Sequence, residues 1–382
     1  MPERPTTLAN GSQMKPAQLR TFHRSLAKWY AIHGRHDLPW RNTGDPYRIW
    51  LSEVMLQQTQ VATVRDRFYG PFLDTFPTVA KLAAAPREAV MKAWEGLGYY
   101  RRAGFLHEAA MQLVDGGGVP PPLRSPSLRG SPSATHQLYE QWSSLPGIGK
   151  NTARAILAFA YHQPVAILEA NVKRIVARVF ALERPTENEL WNGAETLLNH
   201  AAPFDYNQAM MDVGSVVCTP KNPNCGECPA NTLCKGQGDP EIYPAPKAKK
   251  RVPVREVNML VMEDAGGKYY LEKRDAALLG GLYGFVQWPV DAPLASALPR
   301  GTSIASSSRL GQVSHVYSHF RLEGVVHHLK LANHQLGENW HTREQIDQRP
   351  LSGVDRKVVL LIDNSHTRPK KTSKARRKRS TH

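Results

Sequence analysis

From Ala17 to Cys234 the apolar positions recur with the period of a helix. In "NTARAILAFAY", Ala153, Ile156, Leu157 and Ala160 fall at i, i+3, i+4 and i+7; in "NVKRIVARVFA", Val172, Ile175, Val176 and Val179 repeat the spacing. Both stretches predict amphipathic helices with Lys and Arg on the outer face. Similar stripes over 49–65, 87–95, 102–113, 188–200 and 207–217 predict a first half that is nearly all-α. The Gly-, Pro- and Ser-rich run at 116–134 interrupts it and reads as a surface excursion of low structural content. After the last cysteine the pattern changes. The prolines and basic residues of "YPAPKAKKRVPVRE" suit a linker. Beyond it, "EVNMLVME", "KYYLEKR", "YGFVQWP" and "RLEGVVHHLKL" are short, rich in β-branched and aromatic residues, and separated by Gly and Pro, which predicts a smaller α/β domain. The expected division is a helical domain over 17–237, a linker over 238–253, an α/β domain over 254–364 and a basic disordered tail over 365–382.

Length and charge agree with two domains and add a partner. A chain of 382 residues can bury two cores of ordinary size. Its 49 Lys and Arg against 33 Asp and Glu give a formal charge of +16, which favours an anionic partner, above all nucleic acid. The run "RPKKTSKARRKRSTH" carries eight of those basic residues and no acid, as a tail that screens phosphate does. With no apolar stretch of about 18 residues and no signal-peptide core near the start, the expectation is a soluble, intracellular monomer that meets no membrane.

Four features carry chemistry. All the cysteines, Cys218, Cys225, Cys228 and Cys234, fall within 17 residues, which argues for a metal centre over disulfides. Zinc accepts four sulfurs, and an iron-sulfur cubane also takes four; the spacing leaves both open. "LPGIGKNTARAIL" (145–157) predicts a helix, a tight turn and a second helix, where Gly147 and Gly149 let a phosphate approach the N–H groups of the following helix. Glu53 lies on a helix beside Ile49, Leu51, Val54, Leu56 and Val61, and so much apolar surface predicts a carboxyl that holds its proton near neutral pH. Glu169 stands between an apolar, strand-like piece and the start of a basic helix. Cleavage of a glycosidic bond through an oxocarbenium-like state uses one acid on the leaving group and one anion beside the sugar, roles that two carboxylates in unlike surroundings can divide.

The motifs "LPWR", "SEVMLQQTQVATV", "FPTVAKLA", "GLGYYRRA", "LPGIGKNTARAIL", "NVKRI", "NQAMMDVG" and the cysteine cluster, with a weaker continuation into "VYSHFRLEG", resemble the adenine DNA glycosylases of the MutY type within the helix-hairpin-helix base-excision enzymes. The resemblance covers most of 36–330. It implies a mainly α helix-hairpin-helix glycosylase domain with an iron-sulfur loop, a [4Fe-4S] cluster on the four cysteines, and a smaller α/β Nudix-like C-terminal domain that senses 8-oxoguanine opposite the adenine. The implied partner is double-stranded DNA with 8-oxoguanine:adenine or guanine:adenine mismatches. On these residues it implies that Glu53 protonates the adenine and later handles water, that Trp40, Leu56 and Gln208 line the adenine pocket, and that Arg41, Gln58, Tyr99, Gly147, Gly149, Lys150 and Asn171 contact DNA, with Gln58 and Tyr99 filling the vacated stack. Tyr317, Ser318 and His319 match the loop that contacts 8-oxoguanine, with Tyr317 in place of the family's Phe. No acidic run of the Nudix-hydrolase type follows, so the second domain is expected to read a base and not to hydrolyse nucleotides.

Two departures bear on activity. Relatives that also cut the strand carry a Schiff-base lysine where this chain has Asn151, so base removal without an efficient lyase step is expected; Lys150 is about 100° away around the helix. The family's aspartate is here Glu169, followed by Ala170 and Asn171. One added methylene moves the charge by about 1 Å, enough to change a rate roughly a hundredfold, while a helix N-terminus just after it favours the charged form. Three outcomes follow: an active enzyme with a compensating shift, an enzyme slowed or altered in substrate, or a lesion-binding protein without efficient cleavage. A thymine or oxidised-pyrimidine glycosylase on the same fold is disfavoured by Gln208 and by the "YSH" of the second domain.

Overall fold

The computed structural model describes residues 14–116, 132–246, 251–275, 279–299, 301–333 and 335–367. Most of the 116–134 excursion, part of the linker and the tail beyond 367 lie outside the described residues. The chain forms two compact units. One takes residues up to 85 together with 102–249; the other takes 86–101 together with the chain from 250 on.

The first unit is helical. Asp45 caps the helix Pro46–Leu56 by accepting the N–H of Tyr47 at 2.9 Å, with Pro46 in the first turn, where a missing N–H costs nothing. The periodic stripe over 49–65 predicts a helix through to 65, but the helix stops at Leu56. Gln58 takes a left-handed backbone (φ 58°), and the chain resumes as Val61–Thr63, a π turn at Val64–Phe68 and the helix Tyr69–Thr75. The reason is a long-range cap: one guanidinium nitrogen of buried Arg102 takes the carbonyls of Val54, Met55 and Gln57 at 2.7, 2.9 and 2.6 Å, which frees the chain to turn there. One core cluster joins Phe22 and Leu26 of the helix Pro16–His33 to Val172, Ile175 and Val176 of the helix Ala170–Val179, Ala194 of Glu187–Leu197, Met210 and Val213 of Pro203–Val216, and Leu233 of the cysteine loop. The N-terminal helix thus closes over the last third of its unit.

The second unit is a sheet with helices. Its strands are β1 (Val254–Glu263), β2 (Tyr269–Tyr270), β3 (Glu272–Lys273), β4 (Tyr283–Gly284), β5 (Val286–Trp288), β6 (Ile304–Val316), β7 (Arg321–Leu331) and β8 (Trp340–His341). The order is β6-β7-β1-β2-β8, with β5 also on β1 and β3-β4 as a separate pair. Among the described strand pairs β1 and β7 alone run parallel, beside an isolated parallel bridge between Tyr283 and Leu351. Met259 and Val261 of β1 face a core shared with Val354, Val358 and Ile362 of the helix Gly353–Thr367, whereas Leu260 and Met262 face Leu329, Leu331 and Trp340. Burial on both faces is why "EVNMLVME" is a continuous apolar run. Strand β6 escapes the sequence reading. It lies at the sheet's edge, pairs among the described strands with β7 alone, through two register shifts, and shows solvent most of its Ser-rich "IASSSRLGQVSHV", so no apolar alternation marks it.

The helix Arg87–Ala93 and the "GLGYY" turn after it belong to this second unit although they lie far upstream in the chain. Arg349 Nη1 donates to Glu88 at 2.5 Å, Lys92 Nζ to the Asp347 carbonyl at 2.5 Å, Arg356 Nη2 to Glu95 at 3.1 Å and the Tyr100 hydroxyl to the Leu351 carbonyl at 3.1 Å. A period of 3.6 residues marks a helix but does not say which core covers it.

Candidate active site

The run Val165–Leu168, read from sequence as strand-like, is neither helix nor strand and has no strand partner among the described residues. Side chains satisfy its backbone instead. Buried Asn207 donates to the Val165 carbonyl at 3.0 Å and accepts from the Ile167 N–H at 3.1 Å; Arg154 Nε donates to the Ala166 carbonyl at 2.7 Å; Asn151 Oδ1 accepts from the Leu168 N–H at 2.6 Å. The next residue, Glu169, begins the helix Ala170–Val179, its carbonyl accepting from the Lys173 N–H at 2.8 Å. Glu169 Oε1 accepts from Asn151 Nδ2. The acid is therefore presented from a segment pinned on three sides.

Glu53 sits on the helix Pro46–Leu56. Burial, then the charge of Glu169, push its carboxyl up to about 8, and Arg41 acts against them. An edge of Glu53 still reaches solvent, so dense protein around the group, not total exclusion of water, raises it. The structure thus brings the two acids within electrostatic reach, and burial moves the Glu53 carboxyl toward its protonated form, the direction the apolar helix face predicts. Glu169 departs from expectation. Its side chain reaches solvent, yet the protein packed around it raises its carboxyl, and the Lys173 charge and Ala170 N–H only partly offset this, so the helix N-terminus does not by itself decide its ionisation.

Arg41, expected to contact DNA, is enclosed instead. It is 7 % exposed, and its guanidinium is taken by Asp212 at 2.6 and 2.8 Å, with Arg35 on the same carboxylate at 2.7 Å. Burial pushes the Asp212 carboxyl up, but the bonds and charges of Arg41 and Arg35 outweigh it and hold the group below the usual range. A guanidinium so enclosed serves as a fixed positive charge near Glu53 and is not available to a DNA phosphate.

The other predicted positions are placed as follows. Trp40 is buried edge-on to Tyr69 at 5.3 Å, Leu56 closes its helix half-buried, and Gln208 is 3 % exposed on the helix Pro203–Val216. Gln58 and Tyr99 both have left-handed backbones, φ 58° and 50°, and both reach solvent, Tyr99 at 45 %. Bulky side chains seldom accept that conformation, and it persists where surrounding structure enforces it. In the hairpin between Pro132–Ser143 and Lys150–Ala160, Gly147 has φ 75° and a Cβ there would lie 2.6 Å from Cβ of Phe105, so only glycine fits. At Gly149 a Cβ would meet open space, room for a ligand at the helix start. Lys150 places its ammonium 4.1 Å from the Trp191 ring. Asn171 is half-buried, bonded to Arg174 at 2.9 Å and packed against Gly214.

The four cysteines, none of them in a disulfide, line one small pocket with Arg178. Burial pushes the Cys228 thiol up to about 12 and the Cys234 thiol up to about 11. Among the described residues no group of three or more His, Cys, Asp or Glu is gathered closely enough to hold a metal ion; four thiols are a donor set that zinc or an iron-sulfur cluster accepts. Arg178 is the residue the sequence reading missed. Placed by periodicity on an outer face, it is 3 % exposed and donates to Cys218 Sγ at 3.2 Å and to the carbonyls of Thr219, Pro220 and Pro240 at 2.7, 3.1 and 2.8 Å. Its five donors satisfy a loop with no ladder of its own. Asn207 was missed likewise; a polar residue inside "NQAMMDVG", between buried Tyr206 and Ala209, was the available signal.

In the second unit, Tyr317, Ser318 and His319 lie in the turn between β6 and β7. The Tyr317 N–H donates to the Phe320 carbonyl at 2.8 Å, the two rings stack at 4.8 Å, and Arg255 covers Phe320 at 4.2 Å. Ser318 Oγ donates to the Tyr99 hydroxyl at 3.2 Å, and His319 is exposed.

A helical unit with a glycine hairpin, two coupled carboxylates and a four-cysteine loop defines a class, and comparison with known proteins agrees. Residues 51–200 match the HhH-GPD superfamily base excision DNA repair protein family, and 258–361 match the NUDIX domain. A solved thermostable thymine-DNA glycosylase is similar to the chain with a TM-score of 0.50 and 27 % identity, over 58 % of this chain and 97 % of that one. The adenine DNA glycosylase of Mus musculus is 32 % identical over 94 % of this chain and 81 % of its own length, and that of Homo sapiens 31 % identical over 90 % and 74 %. The chain belongs to the adenine DNA glycosylase family and is a DNA glycosylase of base excision repair with a Nudix-like C-terminal domain. Among the described residues no helix is long and apolar enough to cross a membrane.

Proposed function

We propose that this enzyme excises adenine mispaired with 8-oxoguanine or guanine, by base release without an efficient lyase step. The observation that carries the reading is the carboxylate pair: Glu53, raised to about 8, beside Glu169 on its pinned segment. Glu53 carries the proton that makes adenine a leaving group, and Glu169 supplies the anion for the sugar cation. Trp40, Leu56 and Gln208 receive the everted base, Gln58 and Tyr99 fill the space it leaves, and Gly147, Gly149, Lys150 and Asn171 contact the DNA strand. Tyr317, Ser318 and His319 read the opposite base. Cys218, Cys225, Cys228 and Cys234, around one pocket with Arg178 of the helix Ala170–Val179, would hold a [4Fe-4S] cluster as a structural centre, with no step of the reaction running through it.

Asn151 in place of a lysine supports release alone, because a neutral amide forms no Schiff base. The test is a glycosylase assay on an 8-oxoguanine:adenine duplex with and without alkali, beside guanine:adenine, guanine:thymine and guanine:thymine glycol duplexes. Strand breaks only after alkali, from the adenine duplexes, are expected. Binding without product at high enzyme concentration would leave a lesion-binding protein; thymine release would move the enzyme to another substrate; borohydride trapping at full efficiency would restore a lyase.

A further inference from the structure

Asn151 makes two side-chain hydrogen bonds to one short piece of chain. Its Oδ1 accepts from the Leu168 N–H at 2.6 Å, and its Nδ2 donates to Glu169 Oε1. The first bond fixes the second: a backbone N–H directed at one end of the amide makes that end the oxygen and leaves the NH2 for the carboxylate. Glu169 needs such a partner. It holds the N-cap place of the helix Ala170–Val179, yet its side chain does not cap that helix, and a glutamate with three rotatable bonds at a partly solvent-facing site has many orientations to sample. Asn151 is in the first turn of the helix Lys150–Ala160, with Thr152 and Ala153 buried behind it, so the bond refers the carboxylate to a rigid element.

We propose that Asn151 is the positioning residue for Glu169, its amide holding the longer acid in one orientation while the backbone bond to Leu168 sets how far that acid stands from the helix. This rests on the reading that Glu169 faces the sugar cation, and deepens it: the chain matches a glutamate with an amide that an acid one methylene shorter on the same backbone does not reach. The amide nitrogen is not nucleophilic and takes no covalent part. Besides the neutral Asn151 amide, the groups acting on this carboxylate are the Ala170 N–H, the charged Lys173, itself paired with Glu187 at 2.7 Å, and Glu53.

A double-mutant cycle tests it, using the full-length protein, single-turnover adenine release and DNA affinity. Asn151→Ala is expected to slow release about 10- to 100-fold with affinity within about threefold, and to slow it less than about threefold when Glu169→Asp is already present. Equal losses in the two backgrounds, or a loss of affinity in place of rate, overturn the proposal. Should the parent protein release no adenine, the reading of function fails separately, and the clamp is then decided by NMR titration of a 13C-labelled Glu169 carboxyl. Asn151→Ala raises its titration midpoint if the amide stabilises the anion; an unchanged midpoint overturns the clamp.

Discussion

The two units support their backbones by different means, and the contrast locates their weak points. In the sheet unit, β1 and β7 match residue for residue from Val254 opposite Arg321 to Glu263 opposite Lys330, so the turn at Tyr317–Phe320 inherits its position from a ladder. In the helical unit, the segment carrying Glu169, the end of the helix carrying Glu53 and the cysteine loop are all irregular chain. Asn207, Asn151 and Arg154 hold the first, Arg102 the second and Arg178 the third. A ladder spreads the loss of one bond over many neighbours, whereas a side-chain bracket concentrates it. Substitutions in the helical unit should therefore be felt strongly and locally, those in the turn between β6 and β7 weakly.

The largest effect is expected at Glu53. Glu53→Gln should reduce single-turnover adenine release by about a thousandfold, within the range for a lost general acid. In the parent enzyme the rate should fall as pH rises through about 8, where Glu53 loses its proton. Stability carries the same signature. Between the ordinary glutamate value of 4.5 and about 8 the folded chain keeps a proton that the unfolded chain has released, so Glu53 opposes folding increasingly as pH rises through that window. Urea unfolding of Glu53→Gln at pH 5 and pH 9 should show a smaller decline than the parent; parallel declines would remove the raised carboxyl from the account.

Next comes Arg178. Arg178→Met keeps much of the apolar stem but leaves the carbonyls of Thr219, Pro220 and Pro240 without their donor, a loss of roughly 3–5 kcal/mol for a buried charged hub. The check is urea unfolding together with iron per chain, and both should drop. Asn207→Ala should cost less, roughly 1–3 kcal/mol for one buried amide bridging two strands of chain, with adenine release down about tenfold as the Glu169 segment loosens. If Asn207→Ala leaves the rate untouched, the bracket is not what positions Glu169, and the contrast between the units loses its functional half.

How far these brackets could be read from sequence depends on what produces the pattern. Helices such as Lys150–Ala160 and Ala170–Val179 announce themselves because burial of one face forces a period on the apolar residues. The four cysteines are legible because nothing else in the chain competes for them, and Glu53 because its neighbours on the helix are apolar. Arg178 and Arg41 are not legible: a long basic side chain looks the same in sequence whether it meets solvent or buried carbonyls, and only the tertiary partner distinguishes them. Strand β6 fails for the opposite reason, since an edge strand facing water needs no apolar alternation. The attachment of 86–101 to the sheet unit rests on Glu88, Lys92 and Glu95, each an ordinary surface residue until Arg349, Asp347 and Arg356 are found beside it.

The smallest expected effect is at Ser318, and it bears most directly on the contrast. Ser318→Ala removes the hydroxyl that donates to Tyr99 at 3.2 Å, yet the turn keeps its closing bond from Tyr317 to Phe320, its stacked rings and the cover of Arg255. Stability should change by less than about 0.5 kcal/mol, as for an exposed polar group away from buried features. What should move is choice of substrate. A site that bonds a group present on one base and absent from another loses discrimination when the donor is removed. Adenine release opposite 8-oxoguanine should slow by about three- to tenfold while release opposite guanine stays nearly constant, one lost hydrogen bond's worth. Competition between the two duplexes in one tube measures this ratio without reference to enzyme concentration. A fall in thermal midpoint of several degrees would show that this turn, like the Glu169 segment, hangs on single side chains, and the two units would then share one mode of support.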